Sequence, residues 1–279
     1  MHSKPKLNAM TVDVEDYFHV SAFENVIKPS DWKNLSIRVE DNTNRLLDLF
    51  NSKDVKCTFF VLGWVAKNCP KVIKRIVDDG HELASHGLNH KRATLMTRQE
   101  FRIDLLESKS ILEQISGEHV KGYRAPSFSV NDSNLWVYEE LKDAGFIYSS
   151  STYPIEHDLY GVPLWPRFKY ERPEGIIEIP IPTLNRKEKN VGIGGGGFFR
   201  LYPYWLSKRR IEKFLRDEEH PYSFYFHPWE IDPNQPRISG ASFKSMVRHY
   251  INLSKMEKKL AKLTDDFQWT TMLEAYDLK

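Results

Sequence analysis

Residues 70–90 read PKVIKRIVDDGHELASHGLNH, and the reading of this stretch decides the fold. Pro70 stands where a first helical turn would begin, a position at which its missing N–H costs nothing. Gly80 falls at the C-cap, where a left-handed residue ends a helix. HELASH then reads as a short strand, with histidines gathered at its end. Helix, tight turn, strand and polar terminus together make one unit of a parallel sheet with helices packed outside it.

The rest of the chain repeats the unit. LNAMTVDV (7–14) is a buried strand that ends in acids. NTNRLLDLFNSK (42–53) has helical spacing, with Asn42 or Thr43 as the expected N-cap. VKCTFFVLG (55–63) is a strand stopping at Gly63, and 98–116 is an amphipathic helix closed by Gly117. VKGYRAP (120–126) is extended, DSNLWVYEELKDAG (132–145) is a helix closed by Gly145, and FIYSSS (146–151) is a strand. Past Ser151 the rhythm loosens. GIIEIPIP (175–182) and YSFYFHP (222–228) read as strands, VGIGGGGFFRLYP (191–203) as a glycine-rich loop, and YWLSKRRIEKFLRDE (204–218) as a helix. A last amphipathic helix is expected over 242–263. The expectation is an α/β fold in one domain spanning 1–279, with a helical extension from about residue 240.

The totals exclude several classes of function. Forty basic residues against 38 acidic ones leave a net charge of +2, and no Lys/Arg run is dense enough to track nucleic acid. No run of ~18 apolar residues could span a bilayer, and MHSKPKLNAM lacks the apolar core of a secretory signal. A cytoplasmic location and a cytoplasmic precursor as substrate are therefore expected. Cys57 and Cys69 form neither a disulfide framework nor a CxxC site. Oligomeric state is left open.

Parallel α/β sheets keep their chemistry at the carboxyl ends of strands. Asp13, Glu15 and Asp16 end the first strand, His86 and His90 follow the third, Arg124 follows GY, and His227 closes the late apolar strand. Four such groups from distant parts of the chain mark one site. Imidazoles spaced i, i+4 suit Zn, Co, Ni or Fe, and a carboxylate would complete a three-ligand set with positions open to water. His81 enters its strand at the wrong end and is read as structural.

TVDVED, SHGLNH, YRAP and FYFHP, in this order and at these intervals, resemble the polysaccharide deacetylase family, the NodB-homology group also called carbohydrate esterase family 4. GGGGFFRLYPYW (194–205) and HPWEIDPNQPR (227–237) are similar to a branch associated with bacterial exopolysaccharide clusters. The resemblance implies a distorted (β/α) barrel with fewer than eight units and one divalent metal ion, Zn being first choice with Co, Ni or Fe as alternatives. It implies removal of acetyl groups, chiefly N-acetyl, from a glycan or sugar precursor. It places Asp13 as catalytic base, Arg124 as the arginine holding that base, His86 and His90 as metal ligands, and His227 as catalytic acid.

Two departures from the family pattern bear on the site. The family's adjacent aspartates are replaced by Asp13-Val14-Glu15-Asp16. Strand alternation puts Asp13 and Glu15 on one face and favours Glu15 as third ligand, whereas a turn at Val14 would present Asp16. The shorter carboxylate inclines the reading to Asp16, with Glu15 open. Near Ser149 many relatives carry an aspartate that supports the acid histidine, so the resemblance leaves His227 without that partner. Tyr123, Pro126, Trp229, Gly196 and Phe198 are expected to meet the substrate, and Phe128 to fill core. The glycine run lacks the GK[ST] ending of a phosphate cradle and suits a close backbone approach or a lid. Two alternatives stand beside deacetylation: C–N hydrolysis of a small cyclic amide, and a glycan-binding module without catalysis.

Overall fold

The computed structural model describes residues 7–157 and 160–278. In the first half, strands and helices alternate as β1 (Asn8–Val14), α1 (Val39–Ser52), β2 (Thr58–Val61), α2 (Gly63–Asn68), α3 (Pro70–Asp78), β3 (Glu82–Ser85), α4 (Arg98–Ser116), β4 (Gly122–Tyr123), α5 (Trp136–Asp143) and β5 (Tyr148–Ser149). The second half runs β6 (Tyr170–Glu171), β7 (Ile177–Glu178), the hairpin β8 (Thr183–Arg186) and β9 (Lys189–Gly192), then α6 (Gly196–Leu201), α7 (Tyr204–Asp217) and β10 (Ser223–Phe226). It closes with α8 (Phe243–Tyr250), α9 (Leu253–Asp266), β11 (Trp269–Thr270) and α10 (Met272–Ala275).

The main sheet has the order β10-β1-β2-β3-β4-β5-β7-β6, with β11 also paired to β1. Every pairing is parallel except β6 with β7. Its two end strands do not pair with each other, so the curled sheet is a distorted, incompletely closed (β/α) barrel. β1 lies between β10 and β2 and is buried at every position, as expected for a parallel strand covered on both faces. Parallel pairing puts the carboxyl ends of β1, β2, β3, β4 and β10 side by side, and those ends carry the polar residues singled out above.

Local chemistry explains most boundaries. α4 opens on a reciprocal Thr97–Glu100 capping box and ends at Gly117 with φ 77°, as its spacing requires. Four expectations need correction. Helix α1 begins at Val39, ahead of Asn42 and Thr43, because the Asp16 carboxylate accepts hydrogen bonds from the N–H groups of Arg38 (2.6 Å) and Val39 (2.8 Å). The cap comes from a distant strand end, where a local search does not look. The glycine run is partly regular: β9 ends at Gly192, Gly195 bridges Tyr225, and α6 starts at Gly196. The last helix is two, broken at Asn252 with φ 54°. The carbonyls freed there, of Arg248, His249 and Ile251, all accept from the buried Arg200 guanidinium. Beyond α9 the chain returns to the sheet as β11, so the segment past 240 is more than a helical extension.

Candidate active site

Glu15, His86 and His90 bring one ligand atom each to within 4.8 Å of one another. Glu15 is 2% exposed, and its Oε2 lies 2.7 Å from His90 Nε2 without an aligned hydrogen bond to any group. Close approach without a bond is the arrangement of two donors turned towards a common cation. His86 Nδ1 lies 2.8 Å from the Arg124 carbonyl, which can only accept. Nδ1 therefore carries the proton and Nε2 keeps its lone pair for a metal. Burial holds His86 down to about 4, neutral as a ligand must be. Burial works against the charge on Glu15, but the attraction of His90 and His227 outweighs it and keeps the carboxyl well below the usual range. A buried carboxylate with an orphan oxygen beside two imidazoles fits a divalent transition metal.

Asp16 is not part of this group. Its Oδ1 accepts from the Tyr17 N–H (2.9 Å) and its Oδ2 caps α1, so both oxygens are committed to backbone. The inclination towards Asp16 is corrected: strand alternation, carried one residue past β1, turns Asp13 and Glu15 to the cleft and Asp16 away. Asp16→Ala should thus lower stability by about 2–4 kcal/mol, from a lost cap and buried N–H groups left unpaired. Denaturant midpoint and metal content measured together check this. Loss of metal from a folded variant would contradict the assignment.

Arg124 is fully buried and binds Asp13 Oδ1 through Nη1 at 2.6 Å. Nη1 also donates to Thr11 Oγ1, Nη2 to Ser150 Oγ and Nε to the Ser150 carbonyl. The guanidinium lies 4.0 Å from the centre of the Phe60 ring. All three guanidinium nitrogens have acceptors, which fixes the Asp13 carboxylate and leaves its other oxygen towards the cleft.

On the opposite wall His227 Nε2 stands 3.4 Å from Glu15 Oε1, and Nδ1 lies 2.8 Å from Glu230 Oε1. Glu230 is held in turn by Arg200 Nε at 2.6 Å, all three side chains lying largely out of water. Burial opposes protonation of His227, but Glu15, Glu230 and Asp13 around it raise it to about 9. A carboxylate thus backs His227 after all, from its own turn and not from the Ser149 position. Glu230 and Arg200 escaped the sequence reading. The available signal was the glutamate three residues past the histidine in HPWE, which reads on sequence alone as a surface acid. Gly196 belongs to the same arrangement, since a Cβ there would stand 2.2 Å from Glu230 Oε1.

These groups share one cleft of about 480 Å³. Phe128, Tyr160, Phe198, Tyr225 and Trp229 form its walls. Trp229 is sandwiched between His227 and His249, with ring centres 5.2 and 4.1 Å away, and its indole donates to Glu15 Oε1 at 3.2 Å. Of the expected substrate contacts, Trp229 and Phe198 face the cleft. Tyr123 does not: it is 1% exposed and packs on Phe101 and Phe146, because alternation along β4 sends it to the core when Arg124 enters the site. Pro126 is buried behind Ala125 and Ser127, and Gly196 sits behind Gly197 against Glu230. Phe128 is core as expected, buried against Tyr153, Ile155 and Ile181, and its ring also lines the cleft, with φ 49° beside Ser127 with φ 54°. Two consecutive left-handed residues on a wall store backbone strain at the site. His81 is buried near Cys57, away from the cleft, and both cysteines are free.

A family model described as polysaccharide deacetylase matches residues 30–146, and one described as a domain of unknown function, DUF3473, matches residues 150–277. A peptidoglycan-N-acetylglucosamine deacetylase of Bacillus cereus is 30% identical over 99 residues, covering 35% of this chain and 36% of that protein. A peptidoglycan deacetylase of Helicobacter pylori is 34% identical over 107 residues, covering 38% of this chain and 36% of the relative. The chain thus spans little more than a third of these relatives' length. A crystal structure of a candidate polysaccharide deacetylase from Mycobacterium smegmatis aligns with TM-score 0.62 and 19% identity over 99% of this chain and 92% of that one. A family 4 pseudoenzyme from Bacillus anthracis aligns with TM-score 0.53 and 15% identity over 98% of this chain and 66% of that one. At such identities the structures show the fold alone. His86, His90 and Arg124 lie in the first matched segment, and Arg200, His227 and Glu230 in the second. One sheet and one cleft join the two, and residues 30–146 carry a polysaccharide deacetylase domain.

Proposed function

We propose that the protein is a divalent-metal-dependent hydrolase that removes acetyl groups, N-acetyl first among them, from a glycan or sugar precursor. The observation that carries this reading is the convergence of Asp13, the Glu15–His86–His90 group and His227 in one aromatic-walled cleft. When bound, the cation would supply Lewis acidity at the acetyl carbonyl and acidify water. Zn is the first candidate for a Glu/His/His set, with Co, Ni and Fe also suited.

The chain's own groups do the rest. Asp13, pinned through Oδ1 by Arg124, takes the proton of the attacking water on its other oxygen. As the amide C–N bond breaks, His227 delivers a proton from Nε2 to the departing sugar nitrogen. Glu230 at Nδ1 keeps the imidazolium aimed and charged. The products are acetate and a free amine. Phe198, Tyr160 and Tyr225 offer flat apolar faces to sugar rings. The likeness of 194–205 and 227–237 to exopolysaccharide-associated sequences supports a surface polysaccharide or its precursor as the acetylated partner. A glycan-binding module without catalysis remains the second reading, favoured by the likeness to a pseudoenzyme fold. Joint presence of base, ligand group and acid speaks against it.

The test is elemental analysis of chain purified without chelator, beside acetate release from N-acetylated oligosaccharides. About one transition metal per chain is expected, lost in the His86→Ala/His90→Ala double variant together with acetate release. Failure of the wild type to load Zn, Co or Ni on repletion would end the metal-dependent reading.

A further inference from the structure

A second cavity of about 510 Å³ lies outside the cleft, between the end of β8 and the outer face of α7. Arg186, Arg209, Arg210, Lys213 and Arg216 line it against one acid, Glu212, with Trp205 at its edge. α7 buries Ser207, Ile211 and Phe214, so its cationic face points outward by helical spacing. Lys213 and Arg216 pair with Asp217. Among the described residues no carboxylate pairs with Arg186, Arg209 or Arg210. In a chain of net charge +2, three unpaired arginines around one hollow are a local concentration of charge.

A chain of ring contacts runs from this hollow to the mouth of the cleft. Arg210 lies over the Tyr202 ring, 4.3 Å from its centre, and Tyr202 stacks on Phe198, which lines the cleft. Along this path Trp205 is 64%, Leu201 49% and Phe198 42% exposed. Exposed Trp and Leu flanked by arginines match an anionic lipid interface: cations meet headgroups while the aromatic rings enter the acyl boundary. A soluble acidic polymer would account for the arginines but not for this apolar edge.

We propose that the α6–α7 face, with Arg186 beside it, docks the protein on an anionic lipid surface and presents the mouth of the cleft to that surface. The surface acts as a peripheral contact: no helix of the described residues is long and apolar enough to cross a membrane.

Flotation of the full chain with vesicles tests this, using phosphatidylcholine alone and an equimolar mixture with phosphatidylglycerol. The chain should float with the mixed vesicles and not with the neutral ones, and raised salt should weaken binding. Arg186→Gln/Arg209→Gln/Arg210→Gln should lower affinity roughly 100-fold, from about one headgroup interaction per charge. Trp205→Ala should lower it about tenfold. All four side chains are remote from the cleft floor, and an unchanged thermal melt confirms folding. Absence of flotation, equal flotation with neutral vesicles, or a triple variant that floats like the wild type would each overturn the proposal. Arginine-dependent binding to a soluble polyuronate without flotation would assign the face to an acidic glycan instead. None of these readouts depends on deacetylation.

Discussion

Asp13→Asn is expected to lower the turnover of acetate release by about a thousandfold while leaving the metal content unchanged. Asparagine keeps the shape and still offers Arg124 an oxygen at the Oδ1 position, now 2.6 Å from Nη1. It cannot take a proton from water. The paired variant is Glu15→Ala, which removes the only carboxylate of the ligand group and should lose metal and turnover together. Metal analysis with steady-state kinetics therefore separates base from ligand, two residues apart on one strand end. If Asp13→Asn retained wild-type turnover, the proton would leave by another route. If Glu15→Ala retained metal, the ligand set would be wrong. Asp13→Ala is a poorer choice, because a buried unpaired Arg124 costs stability by itself.

Glu230→Gln should lower turnover by about a hundredfold and move the alkaline limb of the pH–rate profile to lower pH. The sign follows from the state required of His227. Burial favours its neutral form, and the carboxylates of Glu15 and Glu230 outweigh burial to raise it to about 9. A general acid must be protonated, so activity falls as pH climbs through its pKa. Removing the charge 2.8 Å from Nδ1 lowers that pKa by about 1–3 units and brings the fall earlier. Glu230→Asp should recover part of the limb's position if its shorter side chain still reaches Nδ1. Gln also leaves Arg200 without its anion, so some stability will be lost, but that loss alone does not move a pH limb. A profile that drops uniformly without shifting would make Glu230 a structural residue only.

This arrangement gives the segment matched as a domain of unknown function a definite place. Residues 150–277 extend the sheet on both sides, through β7 and β10, and they carry His227, Glu230 and Arg200. The kink between α8 and α9 belongs to the same structure, since its freed carbonyls hold the guanidinium that holds Glu230.

Much of this was legible in the chain itself. Helix and strand identity through residue 150 follows from local signals: Pro70 and Gly80, the Thr97–Glu100 box, Gly117, and the apolar run of β1. Parallel order follows from their alternation, and with it the rule that places Asp13, His86, Arg124 and His227 at one end. Sequence could not choose between Glu15 and Asp16, because the choice rests on where the N–H groups of Arg38 and Val39 return in space. Nor could it find Glu230, whose function depends on Arg200 arriving from another helix and on Gly196 leaving room for the carboxylate. Tyr123, expected at the substrate, lies in the core for a similar reason: facing is set by pleat and turn, not by residue type. Periodicity and capping act between neighbours in the chain and are written there. Pairings across 30 or more residues are decided by packing, and only the folded sheet brings those partners together.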